Sequence, residues 1–224
     1  MTTNEPDFLN YKLNLEMNFE TEGKYDIPRV KGIKFKTFKE PDMVGFNYVM
    51  NPKVEDKNNK ILHFFLADYR FQYVWDHPEK YIEALSQYKA ICMPDFSMYT
   101  NMPKAMKIWN AYRRMWLSAY YQAQGLRVIP TPVWADDDSF EYCFNGMPKG
   151  SCLCVSSVGC VQNPKVRKQF LKGFKETVER LEPTQIILYG NEPDGLRDIY
   201  QGDMVRVMPD MDKRISAWRE RTQK

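Results

Sequence analysis

Nothing in this sequence spells a phosphate-cradling loop. Neither G-x-G-x-x-G nor G-x4-G-K-[ST] occurs, and 11 glycines are spread over 224 residues, which argues against nucleotide hydrolysis of the P-loop kind. Histidine is scarcer still, with only His63 and His77. The spacing C-x-C-x5-C of Cys152, Cys154 and Cys160 has no histidine beside it, whereas zinc sites take C-x2–4-C pairs with a second pair or histidines. No metal site is expected. Residues 152 and 154 share one face of a strand, so small buried side chains are the better reading; Cys160, at the strand end, would be a nucleophile without an obvious base. With Cys92 and Cys143 the thiols number five, an odd count that fits reduced cysteines rather than a disulfide framework.

Excess charge is also missing. Against 32 basic side chains stand 29 acidic ones, a net charge of +3, too small for the strong basic field of a protein that grips a nucleic-acid backbone. The opening stretch "MTTNEPDFLNYKLNLEMNFE" has no basic flank followed by a continuous apolar run. It is expected to be neither signal peptide nor membrane span, which places the protein in the cytoplasm, away from membranes. There is no repeat of fixed length and no low-complexity tract.

What is present is an ordinary globular composition, 43% hydrophobic and 27% charged, with a generous 14% of aromatics. From residue 61 onward one pattern recurs: a short apolar run, a polar cluster, a proline-marked helix start, an amphipathic stretch, then another run. Those are βα units. The runs are "ILHFFLADY" (61–69), "KAICMPDFS" (89–97), "LRVIPTPVWAD" (126–136), "SCLCVSSVGC" (151–160) and "QIILYG" (185–190). All are apolar on both faces, as parallel strands covered by helices require.

Three helix starts combine a capping residue with a proline: Asp76 with Pro78, Asn101 with Pro103, Asn163 with Pro164. The helix from Pro164 carries Val166, Phe170, Leu171, Phe174, Val178 and Leu181 on one stripe. That from Pro103 to Gln124 would run about 33 Å, with Ile108, Trp109, Tyr112, Met115, Trp116, Ala119 and Tyr120 inward and Arg113 and Arg114 on the solvated face. Before residue 61, "RVKGIKFKTF" and "MVGFNYVM" read as two more strands. The organisation expected is an N-terminal arm or cap (1–28) followed by a single α/β domain (29–224). Its sheet is largely parallel, a compact or incomplete (β/α) barrel, the alternative being an open doubly wound sheet.

In such sheets ligands bind beyond the carboxyl ends of the strands. Those ends carry Asp68, Asp95 and Ser97, Trp134 and Asp136, Ser156, then Tyr189, Asn191 and Glu192. Acids gathered on one edge repel unless they share protons, hold a cation or meet a ligand. Each also has a plainer reading: Asp138 or Ser139 as a helix cap, Asp95 as a loop brace, Asp68 paired with a base. The tripeptide Asn191-Glu192-Pro193 is similar to the acid/base tripeptide of the large retaining glycosidase clan with (β/α) barrels. The same letters fit the capping grammar, with Asn191 as cap. A retaining mechanism would also need a second carboxylate about 5–5.5 Å away, from among Asp136, Asp95 and Asp68.

The segments Pro94-Asp95-Phe96-Ser97, Ile108-Trp109-Asn110, Pro130-Thr131 with Trp134 and Asp136, and Pro148-Lys149-Gly150-Ser151 together resemble a family of unknown function found in bacteria, plasmids and especially phages. The likeness covers about residues 85–192. It implies a phage or mobile-element origin and an intracellular setting, and carries no catalytic assignment.

The expected function is therefore an acidic pocket at the strand ends. Asp95, Asp136 and Glu192 would be catalytic, and Asp68, Ser97, Trp134, Ser156, Tyr189 and Asn191 would bind ligand. It would cleave a glycosidic or N-glycosidic bond or bind a nucleotide-like small molecule. The alternative is a non-enzymatic phage factor that binds nucleic acid or a host protein through Arg29 to Lys39 and residues 213–224. The sequence names no cofactor and leaves open whether the protein is an enzyme.

Overall fold

The computed structural model describes residues 19–33 and 39–209. A two-stranded antiparallel hairpin, β1 (Thr21–Glu22) and β2 (Ile27–Pro28), comes first. Seven parallel strands follow: β3 (Asp42–Gly45), β4 (Lys60–His63), β5 (Ala90–Cys92), β6 (Val128–Ile129), β7 (Cys152–Ser156), β8 (Gln185–Tyr189) and β9 (Met204–Val207). The first four pair in chain order in one sheet and the last three in another. The Cys154 N–H donates to the Pro130 carbonyl at 2.9 Å, joining the facing edges of the two sheets. No ring of strands closes among the described residues, where β3 and β9 remain edges.

All five apolar runs form parallel strands, each shorter than its run. Two of them stop at proline: β5 ends two residues before Pro94 and β6 immediately before Pro130, since proline has no N–H for the ladder. "MVGFNYVM" is a strand only to Gly45, after which Phe46–Tyr48 turns in a 3-10 helix. Of "RVKGIKFKTF", residues 29–33 form no strand and 34–38 lie outside the described residues. β9 was not expected, because "MVRV" is short and carries Arg206.

The helices are α1 (Tyr73–Asp76), α2 (Ile82–Ser86), α3 (Lys104–Ala123), α4 (Pro164–Leu181) and α5 (Leu196–Ile199). Strand alternation sorts the core into faces. Met43, Ile61, Ala90, Cys92, Ile129, Cys152, Cys154, Ile187, Tyr189 and Val207 meet one another on the inner face. Leu62, Ile91, Val128 and Leu153 point the other way, onto α3 and its neighbours. Val155, Ile186 and Leu188 point onto Phe170 and Phe174 of α4 and Leu196 of α5. The helices thus pack on one face of the strands while the other face packs on itself. A doubly wound sheet would instead carry helices on both faces and reverse its strand order.

The helix α3 corrects the expected solvated arginines. Arg114 is 1% exposed and Arg113 8%. Arg114 donates to the carbonyls of Cys143 (2.9 Å) and Val133 (3.4 Å). Arg113 lies 3.6 Å from the Phe96 ring centroid and bonds Asn110 and Gln72. Loops cover this face of α3 and leave no solvent for the guanidinium heads, so backbone carbonyls and a ring face replace water. Trp109, expected inside, is 38% exposed.

One of the three expected caps forms. The Asn163 side chain accepts from the N–H groups of Lys165 (3.0 Å) and Val166 (3.3 Å), with Pro164 at the first turn. Asp76 instead ends α1, and Pro103 itself precedes α3 with no side-chain cap.

Candidate functional site

The parallel register brings the carboxyl ends of the strands to one edge. β4 contributes His63, whose Nδ1 accepts from the Phe65 N–H at 3.2 Å; this places the proton of the neutral ring on Nε2. His63, Phe65 and Tyr189 form one aromatic wall, with centroid separations of 5.3 Å (His63 to Phe65), 4.5 Å (His63 to Tyr189) and 5.0 Å (Phe65 to Tyr189). Ser156 pairs with Tyr189 in register, and its Oγ accepts from the Val158 N–H at 3.3 Å. Gly190 follows at φ +125°, where a Cβ would stand 2.4 Å from Ser157 Oγ. That Ser157 hydroxyl donates to the Asn191 carbonyl at 2.6 Å, so glycine lets the β7 and β8 loops meet.

Asp95 follows β5 by three residues and is half-buried. No hydrogen bond or ion pair joins its carboxyl to another described residue. Loss of solvent pushes its pKa up to about 7; the Arg114 charge pulls the other way and Asp68 adds to the rise. The Asp95 charge in turn is felt by Cys160 and Cys154, whose thiols burial pushes up.

The other acids of this edge have partners. Asp68 accepts from the Ser97 N–H (3.1 and 3.2 Å) and from the Ser97 hydroxyl (2.7 Å), with Arg113 at 3.8 Å. Those bonds tie the β4 loop to the β5 loop. Asp136 pairs with Lys107, which is only 4% exposed, and accepts from the Ser139 N–H at 3.2 Å as the cap of the 3-10 helix Asp137–Glu141. The cap is thus Asp136, rather than Asp138 or Ser139. Glu192 pairs with Arg197 at 3.0 Å. Asn191 Oδ1 accepts from Arg206, whose Nε also donates to the Gly190 carbonyl at 2.9 Å. Asn191 is no cap, because α5 begins only at Leu196, after Gly195 at φ +86°. Trp134 turns to the helix side, 5.4 Å from Phe170 and seated over Gly173.

The strand ends therefore bring Ser156 and Tyr189 together on β7 and β8 and set Asp68, with its partner Ser97, near Asp95. They do not gather Asp136, Glu192 and Trp134 around one point. Sequence reasoning missed His63, Phe65 and Arg114. The first two had a signal, since in "ILHFF" the period of two that turns Ile61 inward turns His63 and Phe65 inward too.

Among the described residues no group of three His, Cys, Asp or Glu could hold a metal ion. The Cys152 and Cys154 thiols face the apolar interior, and burial pushes Cys152 up to about 12. Two surface hollows, of about 450 and 370 Å³, lie at the opposite, amino ends of the strands, beside Tyr88, Gln124 and Arg127 and beside Asp42, Lys53 and Lys60. In the alternative basic surface, Arg29 pairs with Glu22 at 3.4 Å, while residues 34–38 and 213–224 lie outside the described residues. No described helix is long and apolar enough to cross a membrane.

Two mycobacteriophage proteins, each called "Gene 1 protein", are similar to this chain over 178 residues, 80% of its length. The one from Mycobacterium phage L5 is 39% identical, with 76% of its own length covered; the one from Mycobacterium phage D29 is 35% identical, with 65% covered. No solved structure matches. Residues 19–207 match the family described as "Domain of unknown function (DUF4417)". The match spans the hairpin, all seven parallel strands and every residue of the strand-end edge, so the chain belongs to the DUF4417 family, a family with members in phages.

Proposed function

We propose that this protein binds a nucleotide-like small molecule at the carboxyl ends of its parallel strands, and that Asp95 exchanges a proton with it. The observation that carries this reading is the contrast among the acids: Asp68, Asp136 and Glu192 each have a cation beside them, whereas Asp95 has no side-chain partner among the described residues and holds its proton to about pH 7. A carboxyl poised near neutrality gives or takes a proton at little cost, as a general acid or base must. Phe65, the partly exposed ring of the group it forms with the buried His63 and Tyr189, supplies an aromatic surface against which a heterocyclic ring packs.

In an N-glycosidic hydrolysis, Asp95 would protonate the departing base as the C–N bond breaks, water would add its oxygen to the anomeric carbon and release a proton to solvent, and Ser156 and the Asp68–Ser97 pair would shape the rim. Asp136 and Glu192 contribute through their ion pairs by fixing the loops after β6 and β8. A retaining glycosidase mechanism, which needs two free carboxylates, draws no support from acids so engaged. The setting proposed is the cytoplasm of a phage-infected cell.

Calorimetric titration with a panel of nucleosides and nucleotides tests the reading. At least one member should bind the natural protein at pH 6, and Asp95→Asn should weaken that binding at least tenfold without unfolding the chain. Equal affinity in both proteins, or no binding across the panel, would end the proposal.

A further inference from the structure

Two of the loops at the strand-end edge each bury one aromatic ring and expose another. After β4, Phe71 is 0% exposed and Tyr69 78%; after β5, Phe96 is 0% exposed and Tyr99 63%. One exposed tyrosine needs no explanation, but these two stand on loops that follow neighbouring strands and are fastened to each other. Asp68 accepts from the Ser97 N–H and hydroxyl, and the Phe71 and Phe96 rings meet at 5.1 Å. The Asn110 amide donates to the Ser97 carbonyl at 2.6 Å, and the Met102 N–H to the Tyr99 carbonyl at 3.0 Å. The rings are therefore exposed on a fixed support.

A cation accompanies them. Arg70 is exposed and pairs with no carboxylate among the described residues; its Nε donates to the Tyr69 hydroxyl at 3.3 Å, and its guanidinium stands 5.8 Å from the centroid of that ring. Asp95 belongs to the same loop as Tyr99 and feels the charge of Asp68, the residue before Tyr69. Exposed rings beside an arginine suit a nucleic-acid single strand, because every base has a face to stack and the guanidinium fork fits a phosphate. A duplex stacks its bases on one another and offers these rings nothing. The net charge of +3 agrees, since stacking, unlike a grip on the backbone alone, needs no strong basic field.

We propose that the nucleotide recognised beside Asp95 is one residue of a nucleic-acid single strand, whose neighbouring bases stack on Tyr69 and Tyr99 while Arg70 meets a backbone phosphate. The inference rests on the ligand reading of the strand ends and names its substrate class.

Fluorescence-anisotropy titration with labelled eight-residue DNA and RNA single strands, each containing all four bases, tests it beside calorimetry with mononucleotides, all at pH 6. The natural protein should bind at least one strand at least tenfold more tightly than the best mononucleotide, and more tightly than the matching duplex. Tyr69→Ser combined with Tyr99→Ser should remove that gain and leave mononucleotide affinity unchanged. Tyr69→Phe combined with Tyr99→Phe keeps both stacking faces and should retain the gain. If a mononucleotide binds and Asp95→Asn weakens it, yet no strand binds more tightly, the inference is overturned and the role of Asp95 stands. Strand binding that the serine pair leaves unchanged also overturns the inference. Strand binding that needs the rings but ignores Asp95→Asn overturns the role of Asp95 and keeps the rings as the strand's platform. No binding of either kind overturns both.

Discussion

Asp95 is distinguished less by its position than by what its neighbours lack. An aspartate ordinarily titrates at about 3.9, and Asp95 stands on this edge without the cation that meets Asp68, Asp136 and Glu192. At Asp95 desolvation outweighs the pull of the Arg114 charge, and the Arg114 head donates to the Cys143 and Val133 carbonyls rather than to this carboxyl. The sign of the pH effect follows. Since folding raises the pKa, the folded chain binds the proton more tightly, and that stability is complete below about pH 4 and lost as pH rises through 7. Asp95→Asn lacks the loss. Relative to the variant, the natural protein should therefore fall by about 2 kcal/mol in unfolding free energy between pH 4 and 8, allowing for the solvent that reaches the carboxyl. Urea titrations of both proteins across that range measure it, and parallel curves would contradict the account.

Single elements show why some of the sequence signals translated and others did not. Asn163 caps α4 because an extended backbone there aims its side chain at the first-turn N–H groups. Asp76 and Asn101, given the same neighbouring proline, sit where the chain is already helical or not yet at the helix start. Asn163→Ala should cost about 1 kcal/mol, whereas Asn101→Ala should change stability by less than about 0.5 kcal/mol. Equal costs in chemical denaturation would show that the cap geometry is not what matters. On α3 the apolar stripe located the helix but misjudged its arginines. Helical periodicity reports which side chains are apolar, and a loop that covers the polar side as well, as the chain around Cys143 does, leaves no trace in the period.

For the molecule as a whole, parallel strands were legible because buried strands read as short apolar runs separated by helix-length amphipathic stretches. Their order was not, since it depends on which face each helix takes; the structure puts all helices on one face and the strands in chain order. The edge of acids was legible as a list, and Asp68, Asp95, Asp136 and Glu192 all stand after strands. Their partners were not, because Lys107, Arg113 and Arg197 arrive from other elements, as many as 45 residues away. What the fold does is give three of the four a cation and leave Asp95 without one among the described residues. The measurement that tests this sorting most directly is a carbon-13 NMR titration of the aspartate side-chain carboxyls, with Asp95 assigned by its loss in Asp95→Asn. A midpoint near 7 for Asp95 is the predicted result. A midpoint near 4 would mean that water or a cation serves Asp95 as well as its neighbours are served, and the strand ends would hold no poised acid.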